Sequence, residues 1–324
     1  MRYFILILAL CLQASFLQSQ KTQLDNQPQE LGKISWYRSY DEALVASKEL
    51  DKAVFMLFQE IPGCATCRNF ADDVLSQPLL VEIIENEFIP LAIYNNRKGA
   101  DAHILAKYNE PSWNNPVIRI IDHKGENIVS RISNQYTADV IMHQVVTALQ
   151  LSNEDIPHYV TLFEKELLKE SENVESAYFS MYCFWSGEAF FGSQEGILKT
   201  EPGFMNGKEV VKIWYDKLSV KLDQLIKKAQ KEKIEYENTV SLFKPDKDPQ
   251  YYLKKSIYSC LPLTDMQKTK INAALANNEN PEIWLSPSQL SFLQNIEAKD
   301  RTKWPEKLYH LSIYKSWPIM KARL

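Results

Sequence analysis

The feature that most constrains this chain is a Cys-x-x-Cys pair, Cys64 and Cys67, that lies between a predicted strand and a predicted helix. The run "AVFMLFQE" (53–60) is almost entirely apolar, which is typical of a strand buried on both faces. The segment "CATCRNFADDVLS" (64–76) has the spacing of a helix that begins at the cysteines. Because a helix N-terminus stabilises negative charge, we expect Cys64 to be a thiolate near neutral pH. Cys67 can then resolve a mixed disulfide.

Two other roles for this pair remain open, a static disulfide and half of a zinc site. A zinc site needs two further ligands, and no second Cys-x-x-Cys or histidine pair supplies them. We therefore expect no metal and no cofactor. Five cysteines in 324 residues are too few for a disulfide scaffold. Redox activity is the favoured interpretation of Cys64 and Cys67.

The region around the pair alternates between strands and helices. The other segments of this kind are a strand, a pair of strands and a closing helix: 88–95, 116–132 and 138–150. Together with the strand–Cys-x-x-Cys–helix unit, roughly residues 33–150 resemble the thioredoxin superfamily. The resemblance implies a thioredoxin-like fold. It also implies that Pro116, which follows Asn115, is a cis-proline that faces the cysteine pair.

A second cysteine, Cys183, lies in "MYCFWSGEAFFG" (181–192), where a predicted strand (173–182) passes into a predicted helix. The argument about helix N-termini applies to this thiol as well. Phe184 and Trp185 offer flat apolar surface that suits a methyl-sulfur group. An acid nearby could protonate an oxygen atom that leaves sulfur. The alternative is that "CFW" is ordinary core.

The residues at 182–188, Tyr-Cys-Phe-Trp-Ser-Gly-Glu, resemble the Gly-Cys-Phe-Trp-x-x-Glu motif of the peptide-methionine sulfoxide reductase A family. Three later segments resemble that family in the same order: "GILKTEPGF" (196–204), "EVVKIWYD" (209–216) and "DKDPQYY" (246–252). The resemblance covers about residues 173–280 and implies a second domain with that family's α/β roll.

This second resemblance implies roles for particular residues. Cys183 would attack the sulfoxide sulfur and become a sulfenic acid as methionine leaves, while the two aromatic residues after it hold the methyl group. Glu209 corresponds to the carboxyl group that handles the sulfoxide oxygen. Asp246 and Tyr251 correspond to its hydrogen-bonding partners.

Three further residues are singled out in the second region. Glu188 closes the motif and is interpreted as a supporting residue. Cys260 is either a resolving thiol or a buried residue at the end of a strand. Tyr182 stands where the family has glycine, and we expect it to crowd the pocket. The short "GFMNGKE" (203–209) also omits the family's histidine and one active-site tyrosine.

The N-terminus has the pattern of a secretory signal peptide, because Arg2 precedes an apolar run over residues 4–12. This run is short for a membrane span, which needs roughly 20 apolar residues. An uncleaved anchor is the alternative. We therefore expect a secreted or periplasmic protein with no stable membrane span after signal cleavage. Because the net charge is −4 and the sequence has no basic stripe, we expect no nucleic acid partner.

The predicted fold class is a two-domain α/β (α+β) protein. Its predicted parts are a signal peptide, a linker, a thioredoxin-like domain, a connecting helix, a methionine sulfoxide reductase A-like domain and a C-terminal extension, over residues 1–20, 21–32, 33–152, 153–172, 173–295 and 296–324 respectively.

The function expected from the two resemblances is reduction of methionine-S-sulfoxide in oxidised peptides or proteins. The thioredoxin-like domain would supply the thiol reductant at the high effective concentration that a tether provides. An external thiol reductant would then recharge it. One alternative is a secreted thiol–disulfide oxidoreductase whose C-terminal domain only binds clients, and another is a non-enzymatic binding protein.

Overall fold

The computed structural model describes residues 26–114, 116–152, 155–239, 242–297 and 306–324. The predicted signal peptide lies outside the described residues. The chain divides into two compact units, Met1–Asp155 and Ile156–Leu324, and each has its own sheet. Within the described ranges, no helix combines the length and apolar character that crossing a membrane requires. The predicted two-domain α/β architecture is confirmed.

The first unit contains a four-stranded sheet and five α-helices within its described residues. Its strands are β1 (Val54–Gln59), β2 (Ile89–Tyr94), β3 (Val117–Ile121) and β4 (Ile132–Ser133). Its helices are α1 (Tyr40–Leu50), α2 (Ala65–Asp73), α3 (Pro78–Glu87), α4 (Ala100–Lys107) and α5 (Ala138–Leu151).

The first sheet has the strand order β2-β1-β3-β4. Strands β1 and β2 are parallel, whereas β3 is antiparallel to both β1 and β4. Every residue of β1 is buried, as its apolar sequence predicts for a central strand with both faces covered. Phe58 pairs with Val117, so Pro116 lies beside the C-terminal end of β1, where the chain leads into the cysteine loop.

The segment predicted as a flexible linker (21–32) is packed over its described part, so that prediction is wrong there. A 3₁₀ turn forms at Gln29–Leu31, and Leu31 is completely buried. The Gln59 side chain donates a hydrogen bond of 2.8 Å to the carbonyl oxygen of Glu30. Burial of Leu31 and Trp36 stabilises a conformation that the polar sequence around them does not indicate.

The second unit is built on the antiparallel sheet β8-β5-β7-β6-β9. Its strands are β5 (Val174–Met181), β6 (Ile197–Met205), β7 (Lys208–Asp216), β8 (Glu235–Tyr236) and β9 (Lys244–Pro245). Its helices are α6 (His158–Leu167), α7 (Phe184–Ser193), α8 (Leu222–Lys231), α9 (Tyr251–Lys254), α10 (Asp265–Ala276), α11 (Pro287–Glu297) and α12 (Ile313–Lys321).

The core of the second unit lies between the sheet and its helices. Phe191 of α7 packs with Phe179 of β5 and Val211 of β7 in one apolar cluster. Helix α6, which falls in the predicted connecting segment, buries Leu162 in a cluster with Leu198 and belongs to this unit.

After β9, the segment 246–260 contains α9 and a 3₁₀ turn at Ile257–Cys260, so the strand considered for the end at Cys260 does not form. The backbone N–H groups of Tyr252 and Leu253 both donate to the Asn272 side-chain oxygen of α10. A neighbouring helix therefore satisfies the backbone of this segment, and no strand pairing is needed.

Candidate functional site

The first candidate site is the cysteine pair at the N-terminus of α2. Cys64 is the N-cap residue of this helix and is exposed, whereas Cys67 is completely buried in its first turn. The two sulfur atoms are 3.7 Å apart, the separation of two thiols in contact rather than of a disulfide.

The two thiols differ in their pKa values for physical reasons. A hydrogen bond from the Cys67 backbone, at the helix N-terminus, is the main cause that lowers the pKa of Cys64. Burial is the main cause that raises the pKa of Cys67 to about 12, and contact with Cys64 adds to it. The lowered pKa of Cys64 and the raised pKa of Cys67 favour Cys64 as the attacking thiolate and Cys67 as the resolving thiol.

The loop before Cys64 is shaped by Gly63. A Cβ atom on this residue would lie 2.5 Å from the Glu60 carbonyl oxygen and 2.7 Å from the Cys67 Cβ, so only glycine fits. The Gly63 N–H donates to the Glu30 carboxylate at 2.8 Å, and the Arg68 guanidinium donates to the Gly63 carbonyl at 2.5 Å. The packed N-terminal segment therefore helps to hold the cysteine loop.

Pro116 is buried directly before β3. The cis bond predicted for it involves Asn115, which lies outside the described residues. A cis bond is described elsewhere, between Ile61 and Pro62 in the loop that leads to the cysteines. The role predicted for Pro116 therefore stays a prediction.

The second candidate site is at the N-terminus of α7. Cys183 is the half-buried N-cap residue of this helix, in extended backbone conformation after β5. The Glu209 carboxylate accepts a hydrogen bond of 2.8 Å from the backbone N–H of Phe184. In the β5–β7 register, Glu209 pairs with Met181, two residues before the cysteine. The strand pairing therefore brings the carboxylate to the N-terminus of α7, which Cys183 caps.

Four aromatic rings surround this helix N-terminus. The Trp185 ring stacks on Tyr251, with centroids 4.1 Å apart and planes at 20°. Phe184 is buried and meets Phe204 edge-on at 5.4 Å. The structure thus brings together three aromatic residues singled out by the sequence, and adds Phe204, whose side chain is 43% exposed. The indole Nε1 of Trp185 is buried and has no hydrogen-bond partner among the described residues.

Tyr182 does not crowd this site, so that expectation is wrong. Its side chain is 100% exposed. The residue lies between the end of β5 and the Cys183 N-cap, and the chain turns there so that the ring faces solvent. The glycine of the family's motif is therefore replaced here without filling the space beside the thiol.

Glu188 lies on the buried face of α7 and is completely inaccessible to solvent. Its carboxylate accepts from the Gln250 backbone N–H at 2.9 Å and from the Thr200 hydroxyl at 3.4 Å. Burial is the main cause that raises its pKa to about 8. Glu188 therefore ties the segment that carries Asp246 and Tyr251 to the helix that carries Cys183.

Asp246 is bonded to β6 and to a residue of its own segment. Its backbone N–H donates to the Pro202 carbonyl at 2.8 Å, and its carboxylate accepts from the Asp248 N–H at 2.9 Å. Across the described ranges, no hydrogen bond joins Asp246 to Glu209 or to Cys183. Asp246 therefore does not contact Glu209 or Cys183 by a hydrogen bond in this conformation, and its role in catalysis stays a prediction.

Cys260 ends the 3₁₀ turn at Ile257–Cys260 and is 1% exposed. It is buried, as the second alternative states, but it ends a 3₁₀ turn and not a strand. Burial raises the pKa of this thiol. As a resolving thiol it would therefore have to be uncovered and deprotonated first.

Sequence reasoning missed two residues of this second site. Phe204 pairs with Glu209 across β6 and β7, and the alternation of strand residues toward one face would have been the signal for it. Lys255 donates to the Tyr251 hydroxyl at 2.5 Å and lies over its ring, one helical turn further along. The i, i+4 spacing was the available signal for that contact.

The first unit matches a protein family described as thioredoxin-like over residues 35–123. Among solved structures, an oxidoreductase titled DsbH is 21% identical, with 40% of this chain and 92% of that chain covered and a TM-score of 0.32. A thioredoxin from Thermus thermophilus is 18% identical, with 34% and 82% covered and a TM-score of 0.30.

Among curated proteins, the chain is similar to peptide methionine sulfoxide reductases from Methanococcus maripaludis. The protein from strain C7 is 35% identical over 71 residues, with 17% of this chain and 45% of the relative covered. The protein from strain C6 is 37% identical over the same length. The chain therefore spans less than half the length of these relatives.

Both predicted resemblances are confirmed as similarities. The thioredoxin-like fold, its vicinal thiols and the partial similarity to sulfoxide reductases together indicate thiol-based redox chemistry.

Proposed function

We propose that this chain reduces methionine-S-sulfoxide in oxidised peptides or proteins, with Cys183 as the nucleophile. The observation that carries the proposal is the Glu209 carboxylate, which accepts a hydrogen bond from the backbone N–H of Phe184, the residue after Cys183. A thiol and a carboxyl group side by side, next to apolar rings, are what attack on a sulfoxide requires.

The reaction balances with these groups alone. The Cys183 thiol gives its proton to the Glu209 carboxylate, and its sulfur attacks the methionine sulfur while Glu209 passes that proton to the sulfoxide oxygen. Oxygen then passes to Cys183, so the bond between methionine sulfur and oxygen breaks and a Cys183 sulfenic acid forms. Methionine sulfur gains two electrons and Cys183 loses two. The Trp185 indole N–H, without a partner within the described part of the chain, is a donor that a substrate oxygen or carbonyl can use.

Regeneration of Cys183 is assigned to the vicinal thiols of the first unit. Cys64 thiolate attacks the sulfenic acid and releases water, which leaves a mixed disulfide. Cys67 then attacks the Cys64 sulfur, releases Cys183 as a thiol and closes the Cys64–Cys67 disulfide. An external dithiol reduces that disulfide. A secreted or periplasmic location, where methionine oxidation is not repaired by cytosolic enzymes, is part of the proposal.

A second candidate function rests on the first unit alone. Cys64 is exposed with a lowered pKa, and Cys67 is buried in contact with it, so the pair has what a thiol–disulfide oxidoreductase needs. In this alternative the second unit only binds oxidised clients.

Turnover of a methionine-S-sulfoxide peptide separates the two functions. With dithiothreitol as reductant, we expect activity in the wild type and in Cys64→Ser, and none in Cys183→Ser. With thioredoxin-type protein reductant, Cys64→Ser should lose activity as well. Equal inactivity of the wild type and Cys183→Ser, with insulin disulfides still reduced, would favour the second function.

A further inference from the structure

A carboxylate lies close to the Cys64–Cys67 pair. Glu60 directly follows β1. Three atoms lie within 4.8 Å of one another: a carboxylate oxygen of Glu60 and the sulfur atoms of Cys64 and Cys67. Sequence reasoning considered only cysteine and histidine as further ligands and therefore overlooked this carboxylate. The cluster contains three ligand atoms of kinds that zinc accepts.

The spacing of the sulfur atoms fits a zinc ion. Two sulfurs that are each about 2.3 Å from a tetrahedral zinc ion lie about 3.8 Å apart. The sulfur atoms of Cys64 and Cys67 are 3.7 Å apart, so both can bind one ion without a change in the backbone. A carboxylate oxygen on the same ion would lie about 3.6 Å from each sulfur, which a rotation of the Glu60 side chain can achieve within the observed range.

We propose that Cys64, Cys67 and Glu60 form an exchangeable zinc site with water as the fourth ligand. Three protein ligands with one open position are typical of zinc sites that exchange or react, whereas closed sites have four. The two sulfurs favour a soft or borderline ion and the carboxylate disfavours Cu(I), so Zn²⁺ is the ion that suits this mixed set.

The loop around the cluster is fixed by contacts of its own. The Glu30 carboxylate accepts from the Gly63 N–H, and the Arg68 guanidinium donates to the Gly63 carbonyl. The three anionic ligands carry one negative charge more than a divalent ion neutralises, and the positive charge of Arg68 offsets it.

The chemical consequence is reversible blocking of the dithiol. Zinc binding displaces the thiol protons that the pair still carries and holds both cysteines as thiolates on the metal, so no electrons move and no disulfide forms. The site thus links the redox state of the pair to the free zinc concentration. It does not depend on sulfoxide reduction by the second unit, so either proposal can fail alone.

The test uses the reduced full chain, freed of metal, with Zn²⁺ alone as the ligand. Competition with a chromophoric chelator measures the stoichiometry and affinity of Zn²⁺ binding. The rate of iodoacetamide labelling measures how far the metal protects Cys64. We expect one Zn²⁺ per chain and slower labelling. Glu60→Gln should weaken binding by at least roughly 10–100-fold, because loss of a group that only supports a metal ligand already costs that much. Asp73→Asn removes an exposed carboxylate from α2, the helix that begins at the cysteine pair; it is the matched control and should bind as the wild type does.

Co²⁺ in place of Zn²⁺ provides a second measurement that needs no variant, because tetrahedral thiolate coordination gives intense absorption. Three results would overturn the proposal. These are no stoichiometric binding by the wild type, equal affinity of Glu60→Gln and the wild type, and binding that persists when Cys64 and Cys67 are both serine.

Discussion

Glu209 has two separable roles, and two substitutions can distinguish them. Its carboxylate caps the N-terminus of α7 through the Phe184 N–H, and it is the proposed proton donor to the sulfoxide oxygen. Glu209→Gln keeps an oxygen that can accept this hydrogen bond but carries neither the charge nor the transferable proton. Glu209→Ala removes both the cap and the acid.

The magnitudes expected for stability and activity differ accordingly. Loss of a helix cap costs about 1 kcal/mol, so Glu209→Ala should be less stable by that amount. In a unit of this size the melting temperature should fall by about 2–4 °C. Glu209→Gln should lose only a few tenths of a kcal/mol from the weaker interaction with the helix dipole. Because a general acid contributes about 10²–10⁴-fold, both variants should lose at least about 10²-fold in kcat.

The assay is turnover of a methionine-S-sulfoxide peptide with dithiothreitol, together with thermal unfolding of each variant. Dithiothreitol reduces oxidised Cys183 directly, so the rate does not depend on the first unit and reports only the chemistry at Cys183. The reasoning is refuted if Glu209→Gln keeps wild-type turnover, because Glu209 would then be a helix cap and not an acid.

Three further predictions concern other residues. Glu188 has its pKa raised to about 8, so the folded chain retains a proton that the unfolded chain loses, and stability should fall between about pH 4.5 and 8. Urea unfolding of Glu188→Gln should show a shallower fall, and parallel curves would contradict this. Gly63→Ala should destabilise the cysteine loop by about 1–3 kcal/mol and slow insulin reduction, since its Cβ would meet the Glu60 carbonyl and Cys67. In metal-free protein, iodoacetamide should label Cys64 with a pH midpoint below that of an ordinary thiol, and Cys67 should stay unlabelled; a midpoint at the ordinary value would exclude the proposed thiolate.

Much of the fold could be predicted because its signals are local. The apolar run of β1 and the helix after Cys64 are adjacent in sequence, so periodicity alone positions the thiol at a helix N-terminus. The position of Cys183 before α7 follows from the same kind of signal.

The other features depend on contacts between residues distant in sequence. The Phe204–Glu209 pairing requires the β6–β7 register, and the contact between the Gln59 side chain and the Glu30 carbonyl requires tertiary packing of the N-terminal segment. Tyr182 was misjudged because a motif shows which residue replaces glycine but not where its side chain points.

A single turnover without reductant tests the central claim most directly. Reduced wild-type protein is mixed with one equivalent of methionine-S-sulfoxide peptide, and the products are measured by mass spectrometry with a sulfenic acid trap. The account predicts one equivalent of reduced methionine per chain in the wild type and none in Cys183→Ser. In the wild type the oxidation should be found as a trapped Cys183 sulfenic acid or, after transfer, as the Cys64–Cys67 disulfide, and in Cys64→Ser it should stay on Cys183. Formation of reduced methionine by Cys183→Ser, or none by the wild type, would contradict it.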